Sequence, residues 1–132
     1  MLLLLLVLLL LFGHPAHTAV TAASALGVLS VRGLPLFILL IGRLLVTGIG
    51  VAAGIALAGR RPGAPVLAQA ALWMSAVVSL ITYLTPYFPN NRMPGDTPFY
   101  VACSLTYHAT WILYLRYSRL VRQVFAPPRH SV

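Results

Sequence analysis

The sequence predicts an all-α integral membrane protein, a bundle of four transmembrane helices. Of its 132 residues, 60% are hydrophobic and only 8% are charged, whereas a soluble domain carries about 25% charged residues. The apolar residues fall into four runs, and each is close to the ~20 residues that cross a bilayer. Within a single membrane domain, 1–132, the predicted spans cover approximately residues 2–30, 35–58, 64–84 and 98–118.

The first span begins with a leucine-rich segment, 1–12, that is too short to cross a bilayer alone. The sequence Ala23-Ser24-Ala25 has the form of a signal-peptidase site. A cleaved secretory signal, which leaves three spans, is therefore the alternative. No positively charged region precedes the leucines, and this favours an uncleaved helix that Pro15 kinks.

The second and third spans each carry small residues at every fourth position. Such a stripe lets the backbone of another helix come close. The pattern fits packing within the chain and dimerisation equally well, so a homo-oligomer stays open. The predicted packing residues are Gly50, Gly54 and Ala58 in the second span, and Ala71, Ser75 and Ser79 in the third.

Arg43 is the one charge well inside a predicted span, about 12 Å along the helix from Pro35. One interpretation is that its side chain snorkels to the lipid headgroups. The other is a buried cation paired with an acid of another chain, a lipid phosphate or a cofactor carboxylate. The only acid of the chain, Asp96, is the sole internal candidate.

The last span belongs to a stretch, 97–125, that has no charge between Pro98 and Arg116. We expect a continuous helix here, because Pro98 is a favourable first helical residue. Its basic amphipathic extension, 116–125, is predicted to lie at the membrane surface in contact with lipids. The basic residues of this extension are Arg116, Arg119 and Arg122.

The distribution of the arginines predicts the orientation of the chain in the membrane. With four spans, Arg32 and Arg92 lie on one side of the membrane. The other side carries Arg60, Arg61, Arg116, Arg119, Arg122 and Arg129. The more positive side faces the cytoplasm, so the C-terminus is predicted to be cytoplasmic. Because the arginines cluster at the ends of apolar runs and form no basic stripe, a nucleic-acid partner is excluded.

Catalytic patterns are missing from the sequence. It has no glutamate, no paired carboxylates, no glycine-rich phosphate loop and no histidine–cysteine cluster with metal-ligand spacing, so the chain is predicted not to be an enzyme. His14 and His17 share one helical face but have no third ligand, and we interpret them as polar residues at a kink or a helix interface.

His108 lies near the middle of the last span, four residues after Ser104. One interpretation is a packing histidine that a tyrosine or a Ser/Thr of a facing helix satisfies. The alternative is an axial ligand of haem or bacteriochlorophyll, because bacterial antenna polypeptides use a similar small-xxx-His arrangement. No other cofactor is predicted.

The C-terminal stretch carries the one family resemblance. Its residues are Trp111-Ile112-Leu113-Tyr114, Ser118, Val121, Arg122 and Phe125. They resemble the ending W-I-P-Y-x-x-x-S-x-R-V-K-x-T-F of a group of small bacterial multi-span membrane proteins of unknown function, the DUF2569 group. The match covers 111–125 and departs from the pattern at Leu113, Leu120 and Val124. The resemblance implies a multi-pass protein of the bacterial cytoplasmic membrane, and it implies no activity.

Small-residue stripes, interfacial aromatic residues and scarce polar chemistry favour a non-enzymatic accessory or structural subunit. Such a subunit packs against a larger membrane complex, for which a respiratory or photosynthetic complex is the expected host. The alternative function is a pigment- or haem-binding membrane protein that uses His108. A transporter or channel is disfavoured, because the sequence shows too few polar residues for a lumen.

Overall fold

The computed structural model describes residues 1–89 and 95–125, which fold as helices joined by short turns and contain no strand. Arg92 and Arg129, which entered the predicted orientation, lie outside the described residues. The helices are α1 (Leu2–Leu8), α2 (His14–Leu26), α3 (Leu29–Ala58), α4 (Ala64–Leu84), α5 (Thr97–Tyr117) and α6 (Arg119–Val124).

Three stretches of the described chain are long and apolar enough to cross a membrane. They are Leu2–Leu26, Leu29–Ala58 and Ala64–Leu84. Helix α5 has the same 21-residue length as α4. It is less apolar, because hydroxyl-bearing residues and His108 interrupt its hydrophobic surface.

The first long helix is interrupted by a π-helical segment, Leu9–Gly13, between α1 and α2. Pro15 explains the interruption, since it has no N–H to donate and its ring clashes with the carbonyl of Leu11, four residues earlier. A π-helical turn widens the helix and relieves this clash. It also sets the direction of His14, the first residue of α2.

Helix α2 ends at Leu26, whereas the predicted first span continued to residue 30. Helix α3 is kinked at Gly33, whose φ of +65° lies in the left-handed region that favours glycine. Pro35 follows two residues later, where the straight part of α3 begins. The turn predicted at 32–35 therefore corresponds to this kink inside α3.

The chain does not continue as one helix from 98 to 125, as the sequence had suggested. Ser118 is extended, with ψ of 124°, and this backbone ends α5 and begins α6. An extended residue is typical of a helix N-cap. The break redirects the chain so that Val121 becomes buried, with 2% of its surface exposed. This burial accounts for a break in an otherwise helical pattern.

The main hydrophobic core joins α1, α3, α4, α5 and α6 at one end of the bundle. Its fully or almost fully buried members include Leu6, Leu10, Leu57, Leu72, Leu115 and Val121. A smaller cluster at the opposite end consists of Ala25, Leu36, Leu40 and Phe88. The space between these two apolar clusters is polar, and it holds the candidate site.

Candidate ligand-binding cavity

Helices α2, α3, α4 and α5 enclose a cavity of about 300 Å³ between the two apolar clusters. This volume lies at the lower end of the range for small-molecule sites. Three apolar side chains, Leu9, Val46 and Val78, form part of its wall. Its polar lining consists of His14, His17, Thr18, Arg43, Thr47, Ser75, Ser79, Tyr83, Ser104, Tyr107 and His108.

Small residues and helix periodicity bring these side chains together. His14 and His17 are three residues apart, so they lie on the same face of α2. Gly54 allows the helix that carries His14 to come close to α3, since a Cβ there would lie only 3.0 Å from a leucine side chain of the π-helical segment. Ser75 and Ser79, four residues apart, face the cavity from α4.

Arg43 is the only cation of the lining, and just 5% of its surface is exposed. Its Nη1 donates to the hydroxyl of Thr82 over 3.1 Å, and its Nη2 donates to Nδ1 of His17 over 2.6 Å. The Nε–H is buried and has no hydrogen-bond acceptor among the described residues. Arginine can only donate, so Nδ1 of His17 carries a lone pair and this imidazole is neutral.

No carboxylate neutralises Arg43 in the described part of the chain. Asp96, the only acid of the sequence, is exposed at the start of α5 and forms no ion pair with Arg43. The guanidinium does not snorkel to the surface either, because it is buried between Thr82 and His17. A buried cation without a counter-ion is costly, by several kcal/mol per ion. The site therefore favours a ligand that supplies negative charge.

Hydroxyl groups hold the wall around Arg43 in place. Thr18 and Thr47 share a hydrogen bond of 2.7 Å that joins α2 to α3. Thr47 in turn donates to the carbonyl of Arg43 over 2.9 Å. Thr82 donates to the carbonyl of Val78 over 2.8 Å, which leaves its oxygen lone pairs for Arg43. The position of the guanidinium is thus fixed from both neighbouring helices.

His108 is buried, and both of its ring nitrogens are engaged. Its Nδ1 lies 2.7 Å from the carbonyl oxygen of Ser104, which can only accept, so this nitrogen carries the proton. The neutral ring then accepts at Nε2 from the hydroxyl of Ser75, 3.1 Å away on α4. A serine on a facing helix was one of the partners expected from the sequence. Axial ligation of haem or bacteriochlorophyll by Nε2 would break the bond to Ser75, and this role of His108 stays a prediction.

The side chain of His14 forms no hydrogen bond with another described residue, although it lines the cavity. Its ring centroid lies 6.3 Å from that of Tyr107 and 6.4 Å from that of His108. Within residues 1–89 and 95–125, no three His, Cys, Asp or Glu side chains are grouped so that they could hold a metal ion. His14 is therefore available for a hydrogen bond to a ligand.

The cavity reaches the protein surface at His17 of α2. His17 both lines the cavity and is exposed, whereas one turn earlier His14 meets α5 at Tyr107 and His108. Phe88, with 3% of its surface exposed, packs with Ala25, Leu36 and Leu40 at the nearby end of the bundle. This apolar cluster lies beyond His17 toward the end of α2, so the exposed part of the lining is on the flank of the bundle.

The other predicted residues divide between packing and surface positions. Gly50 and Gly54 face His14, Leu10 and Leu11 of the same chain, while Ala58 is exposed. Ala71 belongs to the main core. The basic residues Arg116, Arg119 and Arg122 are exposed at the end of the bundle away from the cavity.

The sequence did not predict that His14, His17, Arg43 and His108 lie in one site. Thr82 was not singled out as a partner of Arg43. The available signal was that each long helix has a polar residue on its inner face. The kink at Gly33 and the π-helical segment set the positions of these residues along the bundle axis. The sequence did not predict the geometry of either feature, so it did not show which of these residues lie at the same level.

Comparisons with protein-family models, with curated proteins and with solved structures found no match to this chain. The resemblance of residues 111–125 to the DUF2569 group stays a prediction. The argument for function therefore depends on the cavity and its chemistry. That chemistry is one of hydrogen-bond donors around a single cation, which suits binding of an anionic group.

Proposed function

We propose that this chain is a four-span membrane protein that binds a small ligand with an anionic group in the cavity between α2, α3, α4 and α5. Arg43 is the observation that carries the proposal. Its guanidinium is buried, keeps an unpartnered Nε–H and has no carboxylate near it in the described residues. Hydrogen bonds from a guanidinium to an anion are about twice as strong as neutral ones.

The proposal includes insertion in a membrane with the basic end in the cytoplasm. The exposed arginines at the same end of the bundle are Arg60 and Arg61 in the α3–α4 turn, Arg116 in the last turn of α5, and Arg119 and Arg122 in α6. The positive-inside rule supports this orientation. A C-terminal reporter that is active only in the cytoplasm tests it, and activity of a periplasmic reporter would reverse the assignment.

Formate is a suitable probe because it is small enough to reach Arg43 and carries one carboxylate. We expect sodium formate, at constant ionic strength, to raise the free energy of unfolding of the detergent-solubilised protein. At ten times the dissociation constant the increase is about 1.4 kcal/mol. Thermal or denaturant unfolding at increasing formate concentration measures it, and formamide provides the uncharged comparison.

Two variants control this measurement. Arg43→Gln keeps a neutral donor toward Thr82 and His17 but removes the charge, so formate should no longer stabilise the protein. Arg119→Gln removes an exposed arginine of α6 and should respond to formate as the wild type does. Equal stabilisation of the Arg43→Gln protein would show that formate acts elsewhere, and the proposed site would be wrong.

An accessory role in a larger membrane complex remains a second proposal, supported by the same missing counter-ion. In that arrangement an acidic residue of a partner helix neutralises Arg43 by entering the cavity past the exposed His17. We then expect a second polypeptide to stay bound in native mass spectrometry after mild solubilisation. Recovery of the chain alone, or as a homo-oligomer, would contradict the accessory role.

A further inference from the structure

The position of Arg43 along the bundle and the side opening together indicate where its ligand comes from. Building on the proposed function, we infer that the cavity binds the acidic head of a lipid-soluble molecule that carries one negative charge and enters from the bilayer past the exposed His17 of α2. The charge is a carboxylate or a phosphodiester, so the source is a free fatty acid or an anionic phospholipid.

The height of the guanidinium supports a lipid headgroup. Thr82, which accepts its hydrogen bond, lies 18 residues from Ala64. At 1.5 Å per residue this is about 27 Å along α4. The hydrocarbon core is about 30 Å thick. Arg43 therefore lies toward the end of the bundle opposite the α3–α4 turn, in the half of the core nearest the acidic groups of that leaflet.

The side opening supports entry from the membrane rather than from water. His17 is the exposed part of the lining, and it lies nine residues, about 13 Å, before the end of α2 at Leu26. The apolar cluster around Phe88 lies between this position and the nearby end of the bundle. A molecule that reaches Arg43 past His17 thus comes from the flank of α2, where lipid chains lie.

The single positive charge of the lining favours a ligand with one negative charge over a ligand with two. Arg43 is the only permanent cation of the cavity, and its bond to His17 keeps that histidine neutral. A monoanion neutralises the site, whereas a phosphate monoester would leave excess negative charge in a region of low dielectric. The apolar chain of the bound monoanion would extend past His17 into the bilayer.

The size of the cavity fits a headgroup but not a whole lipid. Its volume of about 300 Å³ equals that of about ten water molecules. The side chains of His14 and Tyr107 also line the cavity and offer further hydrogen bonds to the head. The lipid chain therefore stays outside the polar lining.

The test uses the full chain in phosphatidylcholine nanodiscs that are doped with one probe at a time. Native mass spectrometry then measures the fraction of released protein that retains the probe. The probes are dodecanoate, its uncharged analogue dodecanamide, the doubly charged dodecyl phosphate, and phosphatidylglycerol. We expect retention of dodecanoate, of phosphatidylglycerol or of both. Retention should be about tenfold lower for dodecanamide and for Arg43→Gln, the difference between a charge-assisted and a neutral hydrogen bond.

The individual probes distinguish the two possible sources of the acidic group and show which outcomes contradict the inference. Preferential retention of dodecanoate identifies a free carboxylate as the source, and preferential retention of phosphatidylglycerol identifies a phosphodiester headgroup. Equal retention of dodecanamide, or stronger retention of dodecyl phosphate, overturns the single-charge inference. If formate stabilises the protein through Arg43 but no lipid acid is retained, the ligand is water-soluble and the inference alone fails. If formate fails as well, the proposed function fails with it. An Arg61→Gln variant, which removes an exposed arginine of the α3–α4 turn, should retain the probes as the wild type does.

Discussion

Arg43→Met is expected to raise the free energy of unfolding of the empty protein by about 1–4 kcal/mol, the range seen when buried charges are replaced by apolar residues of similar size. The physical reason is that the guanidinium is buried without a counter-ion, so the empty protein carries its desolvation cost. Methionine fills a similar volume without charge. Denaturant unfolding in detergent, without added anions, measures the difference.

Loss of the hydrogen bonds to Arg43 should cost little at its two partners. Thr82 keeps its bond to the carbonyl of Val78, and His17 is exposed, so neither is left as a buried group without a partner. Leu44→Met, at the neighbouring exposed position of α3, provides the matched control and should change stability little. A loss of stability in Arg43→Met would show that the arginine contributes to the fold through Thr82 and His17, as a structural rather than a ligand-binding residue.

The same variant should lose its response to formate and its retention of lipid acids. Higher stability together with lost binding is the pattern expected of a residue that serves a site and not the fold. If the Arg43→Met protein is more stable but still responds to formate, the gain in stability does not come from loss of the binding site. Formate would then bind to another part of the molecule. Stability and binding therefore test the role of Arg43 independently.

The helices of this protein could be predicted from the sequence, but the cavity could not. Long apolar runs bounded by glycine, proline and arginine locate α3 and α4 well, because length and hydrophobicity decide a span locally. The cavity depends on contacts between residues far apart in the chain, such as His17 with Arg43 and Ser75 with His108. Helix periodicity gives the face of each residue but not its height relative to another helix.

Three local features fix those heights, and each has a different physical cause. The π-helical segment before Pro15 turns His14 toward α5 and follows from a missing donor and a steric clash. The kink at Gly33 needs a positive φ, which a glycine–proline pair permits without requiring. The break at Ser118 follows from burial of Val121, a tertiary contact that overrides the local helical pattern. Only the first of these could have been argued from neighbouring residues alone.

Gly54→Leu is expected to destabilise the protein by about 1–3 kcal/mol or more, as overpacking of a filled core does. A Cβ at this position would lie 3.0 Å from Cδ2 of Leu11 and 3.2 Å from Cβ of Leu10. The rest of a leucine side chain cannot fit unless the π-helical segment moves away from α3. Unfolding of the purified variant measures the loss.

Gly48→Leu provides the control on the same helix, because a Cβ there meets nothing within 4 Å and the position is exposed. It should be neutral or slightly stabilising, since leucine favours a helix by up to about 1 kcal/mol over glycine. Because Leu11 precedes His14 in the chain, a displaced segment should also move His14 and weaken retention of lipid acids.

Equal stability of the two variants would contradict packing of residues 2–26 on α3. It would instead support the cleaved-signal alternative, in which the helix that supplies His14 and His17 to the cavity is absent from the mature protein.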